Sequence, residues 1–426
     1  MKKMTKRTTA AVALAASAAL VLAGCSSNGS NDGADDGDNG NSTAEALKIA
    51  TLLPLTGGLN FLLPPVEAGV QLALDEIDAA GGVLGQPVQI VAETDEGDDK
   101  DRTVIEASRD KILASGASFV LGAMGTGSTL HVYEDITKAG ILMGSPSNTG
   151  VQLSGVSPFF FRTAPSDAVQ GSTLASLILA DGHASVGFMT FNNPYGTGLR
   201  DRIQELLTEG GAEVVYGGTG EGDEFAADQT TFSAEVSALK ASGADAVVIV
   251  TYDQVQQILP ELQAQGFDLS KVYLVDGSLA NFTDLPAGSF DGMQGTKPGY
   301  EVDAGFLQQL KDAYKGGSLD DLTYAPEAYD LVNLVALAAE KAGSTKAADI
   351  QKQLAAVSGA NGGTECKSFA ECRDLIKDGK DIQYVTRAGV GPLNAQNDPS
   401  TAWIGIYKYG KDNNEPQFVR SEQGKL

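Results

Sequence analysis

The stretch VLGAMGTGST, residues 120–129, ends an apolar run in three glycines and a cluster of hydroxyls where a helical pattern begins. Gly125 and Gly127 let backbone approach closely, Thr126 and Ser128 supply hydroxyls, and the first amides of a helix have no partner inside it. Together these groups suit an anion, a carboxylate as well as a phosphate. The spacing Gly122-x-x-Gly125-x-Gly127 is not the dinucleotide pattern, and no Lys-Ser or Lys-Thr follows as in a phosphate-binding loop. A plainer use of the same glycines is a tight strand-to-helix turn. Bond-breaking chemistry finds little support. Neither histidine, His131 nor His183, belongs to a set of metal ligands, and there is no G-x-S-x-G elbow to present a nucleophile. The acidic run ETDEGDDKD, residues 93–101, fits no EF-hand loop and reads as a solvated helix start. No catalytic residue, metal site or cofactor is expected, and the chain is read as a non-enzyme.

Such a loop needs a scaffold, and short β-rich runs alternating with helical stretches supply parallel βαβ units. Strands are expected at 47–53, 87–93, 118–122 and 141–145, with helices around 67–80, 98–115 and 127–139. The second half repeats the scheme with strands at 185–191, 212–217, 245–251 and 272–276 and helices around 195–210, 232–242 and 253–265. Pairing the strands in order separates Ile49 from Val186, Val88 from Val214, Val120 from Val248 and Ile141 from Val272, by 137, 126, 128 and 131 residues. That near-constant offset predicts an α/β fold of two similarly built, Rossmann-like lobes with parallel sheets. In open parallel sheets the ligand crevice lies beyond the carboxyl ends of the strands. Facing lobes therefore surround one cleft with PLTGGLNF, AMGTGST and SPSNTG from the first half and NNPYGTG, YDQ and DGSLAN from the second. Glycine, hydroxyl, amide and tyrosine groups of this kind bind a small polar ligand.

The ends of the chain bound its setting. Lys2, Lys3, Lys6 and Arg7 precede the apolar run AAVALAASAALVLAG, the layout of a secretory signal, and Leu22-Ala23-Gly24-Cys25 resembles the bacterial lipoprotein box. Cys25 is then the lipidated residue, and the polar, acidic residues that follow form a flexible tether. Removing residues 1–24, which carry four positive charges and no acid, moves the formal net charge from −25 to −29. Such acidity argues against nucleic acid or anionic lipid as a partner. In an exported chain Cys366 and Cys372, six positions apart, are expected to form a disulfide.

With these motifs in view the chain resembles a known family. TLLPLTGGLN, AGVQLALDEIDAAGGVLGQPVQIVAETDEGD, FVLGAMGTGST, AGILMGSPSNTG, FFFRTAPSDAVQG, FNNPYGTGL and APEAYDLVNLVALA, in this order, are similar to the extracellular solute-binding lipoproteins of bacterial ABC importers. The branch is that of the Leu/Ile/Val-binding proteins, of type I periplasmic binding protein fold. The resemblance implies two α/β lobes joined by a hinge of crossover strands. Residues 1–25 would be signal and lipidation site, 26–46 tether, 47–165 plus 299–385 the N-terminal lobe, and 166–298 plus 386–426 the C-terminal lobe. Helical YAPEAYDLVNLVALAAEKA would belong to the first lobe, and TAWIGIYKYG would be a late strand.

The resemblance also implies a site. Thr126, with Gly127 in the helix-start amides, would receive the ligand carboxylate. Ser147, Asn148 and Thr149 would hold the α-ammonium and carboxylate, and Tyr195 and Tyr252 would close over them. The family's ammonium-pairing acid falls at Gly277, with Asp276 one place earlier. Phe61 and Leu62 stand at the aromatic wall, followed by Pro64-Pro65 in place of a more polar segment. Asp276 serves as the ammonium partner if the loop shifts by one residue; otherwise Asp-Gly is simply a turn. The implied function is a lipid-anchored, extracytoplasmic, monomeric receptor that hands an aliphatic or branched-chain amino acid to the permease and ATPase subunits of an ABC importer. The alternatives are urea, a short amide or a carboxylic acid as ligand, or a ligand-sensing lobe for a membrane signalling partner.

Overall fold

The structure, a computed structural model, describes residues 45–426 apart from 99, 283–285 and 413. The signal-like segment, Cys25 and the tether up to residue 44 lie outside the described residues. Among the described residues no helix is long and apolar enough to cross a membrane.

The apolar runs of the first half become β1 (Lys48–Leu53), β2 (Gln89–Asp95), β3 (Phe119–Gly122), β4 (Leu142–Ser145) and β5 (Phe160–Arg162). They pair in the order β2-β1-β3-β4-β5, all parallel. Between them run α1 (Leu63–Ala79), α2 (Thr103–Ala114) and α3 (Thr126–Lys138). The first three strands and their helices match the expected runs within a few residues, whereas β5 had no counterpart in the sequence reading.

The chain then passes to a second sheet. There α4 (Asp167–Ala180), α5 (Pro194–Glu209), α6 (Ser233–Ala241) and α7 (Val255–Ala264) alternate with β6 (Ser185–Thr190), β7 (Glu213–Tyr216), β8 (Ala246–Val250), β9 (Val272–Leu274) and β10 (Gln294–Pro298). After β10 the chain returns to the first half as α8 (Ala304–Ala313), α9 (Ala325–Ala342), α10 (Ala347–Val357), β11 (Thr364–Cys366), α11 (Phe369–Lys377) and β12 (Ile382–Tyr384). A third crossing leads to β13 (Thr401–Tyr409) and β14 (Pro416–Lys425). These two add an antiparallel edge to the second sheet, whose order is β14-β13-β10-β9-β8-β6-β7.

Burial explains why these segments stay where they are. Each sheet has its own apolar core, one built on Phe119, Phe161, Tyr329 and Leu334 and the other on Phe188, Val248, Leu259 and Phe290. Helix α9 is buried along almost its whole length, and Gly69 of α1 packs so closely that a Cβ would stand 2.2 Å from the Ala325 carbonyl. Cys366 and Cys372 form the expected disulfide, tying β11 to α11 with their Cα atoms 5.3 Å apart.

One ion pair fixes the crossings. Arg162, at the end of β5, is fully buried; its Nε and Nη2 donate to the two carboxylate oxygens of Asp398 at 2.6 and 2.9 Å. Its Nη1 donates to the carbonyls of Asn148 and Gly150 at 3.2 and 2.9 Å. Removing the guanidinium strands a buried carboxylate and two carbonyls. Arg162→Met is therefore expected to destabilise the fold by about 3–5 kcal/mol. Urea unfolding would show it, and a loss below about 1 kcal/mol would mean that the pair is dispensable.

Candidate functional site

The strand ends of the two sheets meet across one narrow space. Thr126 opens α3 because Gly125, extended at φ −81° and ψ 141°, ends the preceding loop with no side chain capping the helix. The amides ahead of Thr129, which donates to the Gly125 carbonyl at 2.9 Å, have no acceptor within the helix. Ser147 and Thr149 follow β4. The Asn148 side chain pins their loop to the start of α3, donating to the Met124 carbonyl and accepting from the Thr129 hydroxyl, each at 2.6 Å. Gly150 is required here, since a Cβ would lie 2.4 Å from the Thr126 methyl.

From the second half, Asn193 caps α5 by accepting from the Tyr195 amide at 2.7 Å, and Pro194 in the first turn fixes the backbone there. Tyr195 is thereby aimed inward, stacked on Tyr252 with ring centroids 5.3 Å apart. Its hydroxyl donates to Asp276 Oδ1 at 2.7 Å and accepts from the Gly277 amide at 3.2 Å. A Cβ at position 277 would stand 2.9 Å from that hydroxyl and from the Thr251 carbonyl. A side chain at 277 has no room, which is why the acid sits at 276. Asp276 also accepts from Gln170 at 3.0 Å and, through Oδ2, from the Tyr324 hydroxyl at 2.6 Å.

Thr126, Ser147, Thr149, Tyr195, Tyr252 and Asp276 line one cavity together with Leu59, Leu62, Met124, Gly277 and Tyr324. Three expected residues do not line it. Phe61 is partly buried against the first core, while Leu62, expected beside it, and Leu59 take the wall. Asn148 serves the scaffold through its side chain, and Gly127 lies within the helix. The cavity volume is about 20 Å³, scarcely more than one water requires. In this arrangement it has no room for a larger solute.

Charge gives the space its chemistry. Asp276 is 5% exposed, and burial raises its carboxyl above the usual range despite three side-chain donors. Asp167, in the first turn of α4, is fully buried, and neither carboxylate oxygen has a hydrogen-bond partner. Burial first and the nearby Asp276 charge second push it well up, with the Thr149 hydroxyl the main group opposing the shift. Burial, reinforced by Asp276, likewise keeps the phenols of Tyr195 and Tyr324 protonated as donors. Two carboxyls thus share a site poor in positive charge, an arrangement that a cationic group would relieve.

The sequence concealed several of these residues. Asp167 reads as an ordinary helix-start acid, and nothing before APEAYD marks Tyr324, which caps α9 at a left-handed φ of 65°. The run at 93–101 was expected to be solvated, but Glu96 is 1% exposed and accepts from the Met124 amide at 2.5 Å. It follows the end of β2 directly and continues the strand's alternation, in line with buried Ala92 and Thr94. His131, on α3, binds Arg102 and Glu106, and His183 binds Asp245; neither lines the cavity.

Comparison with known proteins places this geometry. The profile described as periplasmic binding protein matches residues 46–378. The Leu/Ile/Val-binding protein homolog 3 of Brucella melitensis is 28% identical over 305 residues, 70% of this chain and 80% of that protein. The solved structure of the branched-chain amino acid substrate-binding protein LivJ of Streptococcus pneumoniae, in complex with isoleucine, superposes with a TM-score of 0.68 at 23% identity. It covers 88% of this chain and 100% of that one. A Rhodopseudomonas palustris solute-binding protein in complex with p-hydroxybenzoic acid reaches a TM-score of 0.71 at 16% identity, covering 90% and 98%. These two likenesses show the fold.

An acid whose pKa is raised by folding contributes stability that is present below its unfolded pKa and lost as pH rises through the folded one. Asp167→Asn removes that loss. The variant is expected to be more stable than the parent by about 1–3 kcal/mol near pH 8 in ligand-free protein, with the gap closing toward pH 4. Urea unfolding at both pH values checks this; a gap independent of pH would contradict it.

Proposed function

The chain belongs to the periplasmic binding protein family, and on that premise we propose that it captures a branched-chain or other aliphatic amino acid for an ABC importer. The observation that carries this reading is the meeting of anion-binding groups from one sheet with buried acids from the other. In this reading residues 47–165 plus 299–385 form one lobe and 166–298 plus 386–426 the other. The chain is anchored through lipidated Cys25 outside the cytoplasmic membrane and acts as a monomer.

The α-carboxylate lies against the first-turn amides of α3, the Thr126 hydroxyl and the Ser147 and Thr149 groups. The α-ammonium faces Asp276, with the Asp167 carboxyl next to Thr149 close by. Leu59, Leu62 and Met124 supply apolar surface for an aliphatic side chain, and no bond is broken. Because Tyr195, Tyr252 and Asp276 come from the opposite lobe, their contacts are gained only on closure. The ligand shifts the open–closed equilibrium by that difference in affinity.

The test is calorimetry of the purified protein with leucine, isoleucine and valine, and in parallel with urea, acetamide and benzoate. Binding of the amino acids is expected, and Thr126→Ala should weaken it by about 1–3 kcal/mol through loss of a charge-assisted hydrogen bond. Binding confined to compounds without an ammonium group would overturn the amino-acid reading and favour a carboxylic acid or amide.

A further inference from the structure

A second cavity, about 250 Å³ in volume, opens beside two of the chain crossings. It shares one lining residue, Tyr324, with the cleft. Its walls come from both halves: Lys297, Tyr407 and Phe418 from the second sheet, Glu327 from α9, and Tyr300 and Arg387 from the crossings.

The charges there are incompletely matched. Lys297 donates to the Thr323 hydroxyl at 2.9 Å, lies 3.5 Å from Asp321 and sits 4.9 Å from the centre of the Tyr407 ring. Arg387 lies over the Phe306 ring at 5.1 Å, yet its buried Nε has no hydrogen-bond partner, and its guanidinium pairs with no carboxylate among the described residues. Asp330, the acid beside it, accepts instead from the backbone amides of Arg387 and Ala388 and from the Tyr384 hydroxyl. Glu327 is 2% exposed, and burial raises its carboxyl to about 8, so near neutral pH it is a donor rather than an anion. Glu301 and Asp320, at the mouth, are exposed and screened by solvent. Asp330 attracts the guanidinium through space without hydrogen-bonding it, so the group inside with an unfilled donor is the guanidinium, whose planar fork suits a carboxylate.

We infer that this cavity is a second ligand site, separate from the cleft, that takes a small organic carboxylate with its head on Arg387 and its apolar body between Tyr300, Tyr407 and Phe418. The volume fits a molecule smaller than most drug-sized ligands. Because the walls belong to both halves, an occupant changes the balance between open and closed forms. Linkage then requires that it and the cleft ligand alter each other's affinity by the same factor.

Benzoate is the probe, titrated by calorimetry into the purified protein, Arg387→Gln and Thr126→Ala, with circular dichroism to confirm folding. The expected result is saturable binding to the parent, a dissociation constant raised at least about tenfold in Arg387→Gln, and no change in Thr126→Ala. Should Arg387→Gln fail to fold, Phe418→Asp on the edge strand β14 introduces a repelling charge and is expected to weaken benzoate as much. Benzoate binding that survives these wall variants, or that is lost in Thr126→Ala, would overturn the proposal, the latter by locating the carboxylate in the cleft. Failure of the parent to bind benzoate, or tighter binding of benzylamine, would overturn it as well. None of these outcomes depends on whether leucine binds the cleft.

Discussion

The guanidinium of Arg162 joins three parts of the molecule that sequence separates widely. It ends β5, grips Asp398 in the third crossing and holds the carbonyls of Asn148 and Gly150. Buried ion pairs seldom add much net stability, because desolvation consumes most of the Coulomb gain. What this one provides is position. The loop carrying Ser147 and Thr149 is held between the guanidinium on one side and the Asn148 bonds to α3 on the other. The hydroxyls meant for a ligand are therefore fixed before any ligand arrives, which lowers the ordering cost of binding. Ser154 extends the network by donating to Asp398 at 2.6 Å, so the crossing is anchored to the first sheet rather than to the second.

Against that fixed frame the second half supplies the variable element. Asp276 is held by Tyr195 and Gln170 from its own half and by Tyr324 from the other, and the Tyr324 bond crosses between the halves, since that residue begins a helix of the first core. The closed arrangement thus has polar contacts of its own. It also brings two buried acids together, and like charges in low dielectric oppose the approach. In the proposed function those acids would resist closure without a cation and assist closure around one, so the pair that destabilises the molecule alone would favour a cationic ligand, the usual trade between stability and function.

The sheets were legible because apolar β-branched runs announce themselves: IATLL, FVLG, VGFMT and AVVIV all became strands close to the expected bounds. The loops at their ends were legible from topology, since parallel strands deliver their carboxyl ends to one crevice. Facing direction was harder. Of the two residues expected at the wall, Leu62 lines the cavity and Phe61 packs against the core, and three consecutive residues in a short turn offer no period that tells them apart. Glu96 illustrates the opposite failure: five neighbouring acids between residues 93 and 101 suggest solvent, yet the strand period turns this one inward. Asp167 and Tyr324 gain their meaning only from tertiary neighbours, which composition and spacing do not encode.

Tyr324 connects these threads. A non-glycine residue in the left-handed region costs roughly 1–2 kcal/mol, and strain of this kind persists only where surrounding structure overdetermines it. Here the surroundings are the start of α9, the Asp276 carboxylate 2.6 Å from the hydroxyl, and the two cavities that the residue lines. The backbone of α9 moves with the first core, while Asp276 moves with the second sheet. If the halves part as proposed, the Tyr324–Asp276 bond is the side-chain contact that has to break, which is a smaller disturbance than moving the strained cap. Burial is what raises the Asp276 carboxyl, so the proposed opening would return it toward the ordinary range before a cationic ligand arrives.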